Sequence, residues 1–162
     1  MRILVVSDTH GRLAPVYHVL QELGEIDLIL HAGDHYLDAD ELAYTLEVPA
    51  RGVMGNCDFP GDGPLEDLLE VAGHKIYLTH GHRLGVNRDI EMVLERAKKW
   101  GAKVAIYGHT HVADQRIVDN IIIFNPGSPA QPRGRDRASV GLIRIDGENL
   151  ETEIVYLDYF YP

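Results

Sequence analysis

One cysteine, Cys57, stands in 162 residues. It excludes an internal disulfide and leaves too few thiolates for a zinc ribbon or an iron–sulfur cluster. Long apolar runs are missing as well. The longest are four residues, as at 121–124, against the ~20 that a membrane-spanning helix needs. The amino-terminal MRILVVSDTH lacks the longer apolar region of a secretory signal. A cytoplasmic protein with no membrane partner is the expectation. Basic residues are also few, 15 Lys plus Arg against 25 Asp plus Glu, for a formal net charge of −10. That balance disfavours nucleic acid as a partner, although a bound cation inverts the local field of an acidic surface.

The remaining composition, 45% hydrophobic and 25% charged, is that of an ordinary globular chain. At ~150 residues per domain, residues 1–162 make one domain. Nine histidines stand out. His80 and His82 form one close pair, His109 and His111 another, and His10 follows Asp8 by two positions.

Residues 2–7 read as a strand buried on both faces, because Ile3, Leu4, Val5 and Val6 are continuously apolar. Val16, Val19, Leu20 and Leu23 have helical spacing and stop at Gly24, and 27–30 supplies a second strand. A helix over 37–46 then leads to a strand at 48–53, which Pro49 places at an edge or bend. Strands at 68–71 and 75–79 flank an Ala72-Gly73-His74 turn. The clearest helix carries Ile90, Val93, Leu94, Ala97 and Trp100 on one face, with Asn87 as its expected cap. Strands follow at 104–107, 116–118, 121–124, 140–145 and 150–156, with turns at Asp119-Asn120 and Asp146-Gly147. The expected fold class is α/β: two mixed β-sheets packed together and flanked by helices.

Asp8, Asp34, Asn56, His80, His109 and His111 each fall after an expected strand, at the carboxyl edge where open α/β sheets collect ligands. Asp8-Thr9-His10 spaces two donors so that an extended backbone projects them to one side, and His109-Thr110-His111 repeats the spacing. An isolated Asp-x-His or Gly-Asp usually serves backbone hydrogen bonding. Five such segments in order point instead to a metal site. Asp8, His10, Asp34, Asn56, His80, His109 and His111 are too many donors for one tetrahedral ion, and a bridging Asp34 gives two ions four protein ligands each.

The segments DTH, GD, GNCD, HGH and GHTH match the ordered motifs of the calcineurin-like metallophosphoesterase family, which this chain resembles. Asn125-Pro126-Gly127-Ser128-Pro129 with Gln131-Pro132-Arg133-Gly134 is similar to its small bacterial and archaeal phosphodiesterase branch. The resemblance implies a four-layer α-β-β-α sandwich and two divalent metal ions. Asp8, His10, Asp34 and His111 would hold one ion, and Asp34, Asn56, His80 and His109 the other. Asp34 and Asn56 carry the catalytic roles, with Asn56 also binding substrate. Manganese is the first choice of metal; nickel, iron, zinc or magnesium also suit ligands of this kind.

A hydroxide bridging the ions would attack phosphorus in line, with no Ser or Cys nucleophile. The implied partner is a small phosphodiester, cyclic nucleotides among them. Cys57 stands where many family members have the His thought to protonate the leaving oxygen, so good leaving groups are expected, or help from Asp58 or water. Arg12 and the cluster Arg133, Arg135 and Arg137 read as solvent-facing, and His82 as a rim residue. His31 and His35 read as locally hydrogen-bonded.

Two metallohydrolase alternatives fail. The zinc β-lactamase pattern needs Asp and His where this chain has Ala113 and Asp114, and an amidohydrolase barrel of ~250 residues is too long. The same fold also serves as an interaction scaffold in a eukaryotic trafficking subunit with degraded metal motifs, whereas here every donor is present. The aromatic tail of Tyr156, Tyr159, Phe160 and Tyr161 suits either a homo-oligomer interface or a cap on the domain's own sheet.

Overall fold

A computed structural model describes residues 1–157. The aromatic tail positions Tyr159, Phe160 and Tyr161 lie outside them. Tyr156 is within them, its ring 4.0 Å from the Arg137 guanidinium carbon.

The elements follow in the order β1 (Arg2–Val6), α1 (Ala14–Leu23), β2 (Leu28–His31), α2 (Asp38–Leu46), β3 (Ala50–Gly52), β4 (Glu66–Val71), β5 (His74–Thr79), α3 (Glu91–Trp100), β6 (Val104–Ile106), β7 (Asp114–Val118), β8 (Ile121–Asn125), β9 (Ser139–Asp146) and β10 (Asn149–Tyr156). They build two five-stranded mixed sheets, ordered β10-β9-β1-β2-β3 and β4-β5-β6-β8-β7. β1, β2 and β3 run parallel in the first sheet, and β5, β6 and β8 in the second.

The period of two along each strand divides the core into layers. Ile3 and Val5 of β1 join Leu30, Ile76, Leu78, Ile106 and Phe124 between the sheets. Leu4 and Val6, on the opposite face of β1, pack with Val16 and Val19 of α1 and Leu42 of α2. Tyr77, Ala105 and Ile123 on the outer face of the second sheet meet Val93 and Ala97 of α3. The order is therefore helix, sheet, sheet, helix. Each fully buried aliphatic or aromatic side chain here contributes ~1.5–3 kcal/mol.

Two details differ from the sequence expectation. Pro49 and Val48 lie outside β3, a three-residue strand at the sheet edge. Pro49 has no N–H to give, but its carbonyl accepts from Ile29 N. Asn87 does not cap α3. Asp89 Oδ1 accepts the Glu91 N–H at 3.1 Å instead, and Asn87 reaches the histidine cluster described below. The tight turns at 119–120 and 147 have positive φ, as Asp, Asn and Gly favour, and so has Gly73, whereas Ala72 adopts a positive φ against the preference of its residue type.

A candidate metal centre at the shared edge of both sheets

The parallel strands of both sheets end on one side of the sandwich, and the loops leaving them bring together all seven donor residues read from the sequence. β1 delivers Asp8 and His10, β2 delivers Asp34, and the segment after β3 delivers Asn56. β5 delivers His80, while His109 and His111 follow β6.

The backbone in these loops is not extended. Asp8, His10, Asp34, His109 and His111 all have positive φ, between 48° and 68°. The extended geometry expected for the two x-spaced pairs is thus replaced by left-handed turns. Each such non-glycine residue costs of order 1–3 kcal/mol and persists only where its surroundings over-determine it. The turns also separate His109 from His111, so that the two rings serve different neighbours.

His111 joins Asp8, His10 and Asp34, whose donor atoms all lie within 4.8 Å of one another. His111 Nε2 is 3.1 Å from Asp8 Oδ1 and 3.4 Å from His10 Nε2. His10 Nε2 is 4.0 Å from Asp34 Oδ2. The other oxygen of Asp34 turns the opposite way, 3.3 Å from His80 Nε2. His80 Nε2 is also 3.3 Å from Asn56 Oδ1, and the His80 and His109 ring centres are 5.2 Å apart. Asn87 Nδ2 lies 2.9 Å from His109 Nε2.

These separations are a test of fit. Ligand atoms ~2.1 Å from one ion lie about 3.0 Å apart at octahedral edges and about 3.4 Å apart at tetrahedral ones. The values of 3.1, 3.3 and 3.4 Å fall inside that interval, while the 4.0 Å between His10 Nε2 and Asp34 Oδ2 is wider, closer to the ~4.2 Å that separates opposite octahedral positions. His80 Nδ1 and His111 Nδ1 each donate to a backbone carbonyl, of Ala32 at 2.7 Å and Gln131 at 2.6 Å. Each Nε2 is thereby left with its lone pair aimed inward, as metal-ligating histidines require. Asp8 Oδ1 is buried without a hydrogen bond, so a carboxylate oxygen and an imidazole lone pair face each other. A cation resolves that conflict, and the donor set fits one.

The charges agree. Burial pushes the Asp8 carboxyl up, but His111, His80 and the Ser7 hydroxyl outweigh it and hold it below the ordinary range. His10 and His109 are lowered, chiefly by burial, which favours neutral imidazole. Burial lowers His111 too, yet the adjacent Asp8 carboxylate and the Gln131 carbonyl leave it raised overall, so a cation at Nε2 would take the place of a proton that the carboxylate attracts. The Cys57 thiol is pushed up to about 11 by burial and by Asp34. It is protonated at neutral pH, which argues against a redox sensor.

Several supporting residues escaped the sequence reading. Ser128 Oγ donates to the Asp8 carbonyl, and Asn125 Nδ2 to the Gly108 carbonyl and Thr110 Oγ1. The Asn-Pro-Gly-Ser run is therefore a buckle between ligand loops, a role visible only after folding. Gly55 and Gly108 permit the close approach of those loops, since a Cβ at either would overlap Asp34 or Ser7. His82 sits at the rim, its ring centre 5.3 Å from that of His80. Arg12 is exposed, and Arg133 Nη1 reaches only the His109 carbonyl at 3.4 Å.

Asp58 is not free to protonate a leaving group. Its Oδ1 accepts from His35 N and Tyr36 N, and its Oδ2 from Gly55 N. It staples the Asp34 loop to the Asn56 loop. Asp58→Ala is expected to destabilise the chelated protein by about 2 kcal/mol, allowing for partial exposure and water replacement, which lowers Tm by roughly 4–8 °C. Thermal denaturation reads the effect, and an unchanged Tm would refute the stapling role.

A cluster of carboxylate and imidazole donors on the strand-end edge of two sandwiched sheets defines a metallophosphoesterase-fold protein. Residues 1–148 match the calcineurin-like phosphoesterase superfamily domain, and the chain belongs to that family. It is 36% identical over 149 residues to "Probable metallophosphoesterase YsnB" of Bacillus subtilis, covering 91% of this chain and 86% of that one. It is 30% identical over 173 residues to "Phosphodiesterase YfcE" of Escherichia coli K12, covering 90% and 89%. A crystal structure of a predicted phosphoesterase from Streptococcus pneumoniae superposes with a TM-score of 0.81 at 31% identity, over 99% of this chain and 92% of that one. Among the described residues no helix is long and apolar enough to cross a membrane.

Proposed function

We propose that the chain is a phosphodiesterase that hydrolyses small phosphodiesters with two divalent ions, manganese being the first choice. Asp8, His10, Asp34 and His111 would hold one ion, and Asp34, Asn56, His80 and His109 the other. The observation that carries this reading is the convergence of the first four donors within 4.8 Å, with Asp34 presenting its second oxygen to His80. When bound, the ions supply positive charge for the phosphoryl oxygens and acidify water as the nucleophile.

The chain's own residues do the positioning. The carbonyls of Ala32 and Gln131 fix His80 and His111 in one tautomer. Asn56 turns Oδ1 inward, and among the described residues its Nδ2 faces only Cys57 Sγ at 3.4 Å. Sulfur is a weak acceptor, so this amide is free to donate to a phosphoryl oxygen. Neither Cys57, with its raised pKa, nor Asp58, with its committed oxygens, is an effective leaving-group acid. Aryl esters, whose leaving groups need no proton, are therefore favoured over alkyl esters. A chain of net charge −10 repels long polyanions, which argues for small substrates over nucleic acid. Its single cysteine suits the cytoplasm.

Chelation should abolish hydrolysis of bis(4-nitrophenyl) phosphate, and reloading with Mn²⁺ should restore it by at least about a hundredfold, with two ions bound per chain. Turnover that survives chelation overturns the reading. Two bound ions without turnover would favour the interaction scaffold.

A further inference from the structure

A cavity of about 510 Å³ opens beside the donor cluster, lined by Met54, Asn56, Pro60, Leu65, His82 and Arg83. Two of these residues join it to the site. Asn56 has its Oδ1 3.3 Å from His80 Nε2, and the His82 ring centre is 5.3 Å from that of His80 and 6.2 Å from that of His109. Met54, Pro60 and Leu65 supply an apolar wall. The volume lies within the ~300–1,000 Å³ range of small-molecule sites.

The charges lining this cavity are unevenly committed. The Asp58 carboxylate, also on its wall, accepts three backbone N–H bonds. Arg83 is exposed, and no ion pair or side-chain hydrogen bond engages it among the described residues. A guanidinium stays ionised at any physiological pH and presents a fork suited to carboxylate or phosphate. In a chain with ten more acidic than basic side chains, an unengaged arginine beside the cluster has a specific electrostatic consequence. It attracts an anionic group that enters the cavity.

We propose that this cavity receives an ester substituent of the phosphodiester, and that Arg83 selects substituents carrying a second anionic group. The inference rests on the phosphodiesterase reading. The preferred substrates would then be small diesters with an aryl- or nucleoside-sized substituent bearing a carboxylate or a further phosphate, rather than singly charged diesters.

Binding of non-hydrolysable ligands tests this without relying on turnover. Phenylphosphonate and 3-carboxyphenylphosphonate would be titrated calorimetrically into the Mn²⁺-loaded chain, its Arg83→Gln variant and its Arg83→Lys variant. The carboxylated ligand should bind the unmodified chain about fivefold more tightly, the upper range for an exposed ion pair. Arg83→Gln should erase that preference, Arg83→Lys should keep part of it, and binding of phenylphosphonate should change less than about twofold throughout. Equal affinity in the unmodified chain, or a preference that survives Arg83→Gln, overturns the role of Arg83 and leaves the metal-site reading intact. Failure of both ligands to bind the loaded chain overturns the phosphodiesterase reading and this proposal with it.

Discussion

On the proposed two-ion reading, Asp34→Asn should reduce hydrolysis of an aryl phosphodiester by on the order of a thousandfold and cost the protein one bound ion before the other. The order follows from what each oxygen does. Oδ1 accepts the Cys57 N–H at 2.9 Å and faces His80; Oδ2 faces His10. An asparagine keeps the Cys57 bond only by placing its own oxygen at the Oδ1 position. Its NH₂ group then points at His10, where a donor cannot ligate. The set of Asp8, His10 and His111 is left one ligand short and gains a repulsive dipole. The set of His80, Asn56 and His109 loses charge but keeps an oxygen. Metal analysis after dialysis should therefore fall from two ions to one, with activity lost in step. Full activity with one ion retained would show that Asp34 does not serve both clusters.

Sequence periodicity was enough to locate most of the fold. Continuous apolar runs marked β1 and β2, and helical spacing of apolar residues marked α1 and α3. It was also enough to bring the seven donors to one edge, since each follows a strand and parallel strands end on the same side. Two things were invisible. The left-handed backbone at Asp8, His10, Asp34, His109 and His111 is disfavoured by intrinsic preference and is imposed by tertiary contacts, so no local pattern announces it. The residues that impose it, among them Asp58, Asn125 and Ser128, act across long stretches of chain; Ser128 is 120 positions from the Asp8 carbonyl it holds. Asn87 shows the same limit. Its spacing before α3 suggested a cap, but the position of His109 in space claims its amide.

The second large effect belongs to His31, which is fully buried beneath the site. Its Nδ1 accepts the Gly33 N–H at 3.1 Å, so Nε2 carries the proton and donates to Thr9 Oγ1 at 2.9 Å. Thr9 in turn donates to Asp38 Oδ2 at 2.6 Å, which also accepts the Gly11 N–H. This relay joins the Asp8–His10 turn to the Asp34 turn, and it requires neutral imidazole. Burial pushes the His31 pKa down to about 4, against the opposing pull of Asp38, Asp8 and Asp58 and with a small further push from His80.

An unfolded histidine titrates near ~6.5. Between that value and about 4 the unfolded chain holds a proton that the folded chain does not, so stability is complete above ~6.5 and falls as pH drops through the window. The loss across the window is roughly 3 kcal/mol. His31→Asn removes the titration together with the relay. Urea unfolding in the presence of a chelator should show the variant roughly 2–4 kcal/mol less stable at pH 7.5, with the gap narrowing markedly by pH 5. Parallel profiles for the two proteins would mean that His31 is not the titrating group. The variant should also bind Mn²⁺ roughly 10–100-fold more weakly at pH 7.5, because the turns that aim Asp8, His10 and Asp34 would no longer be tied together.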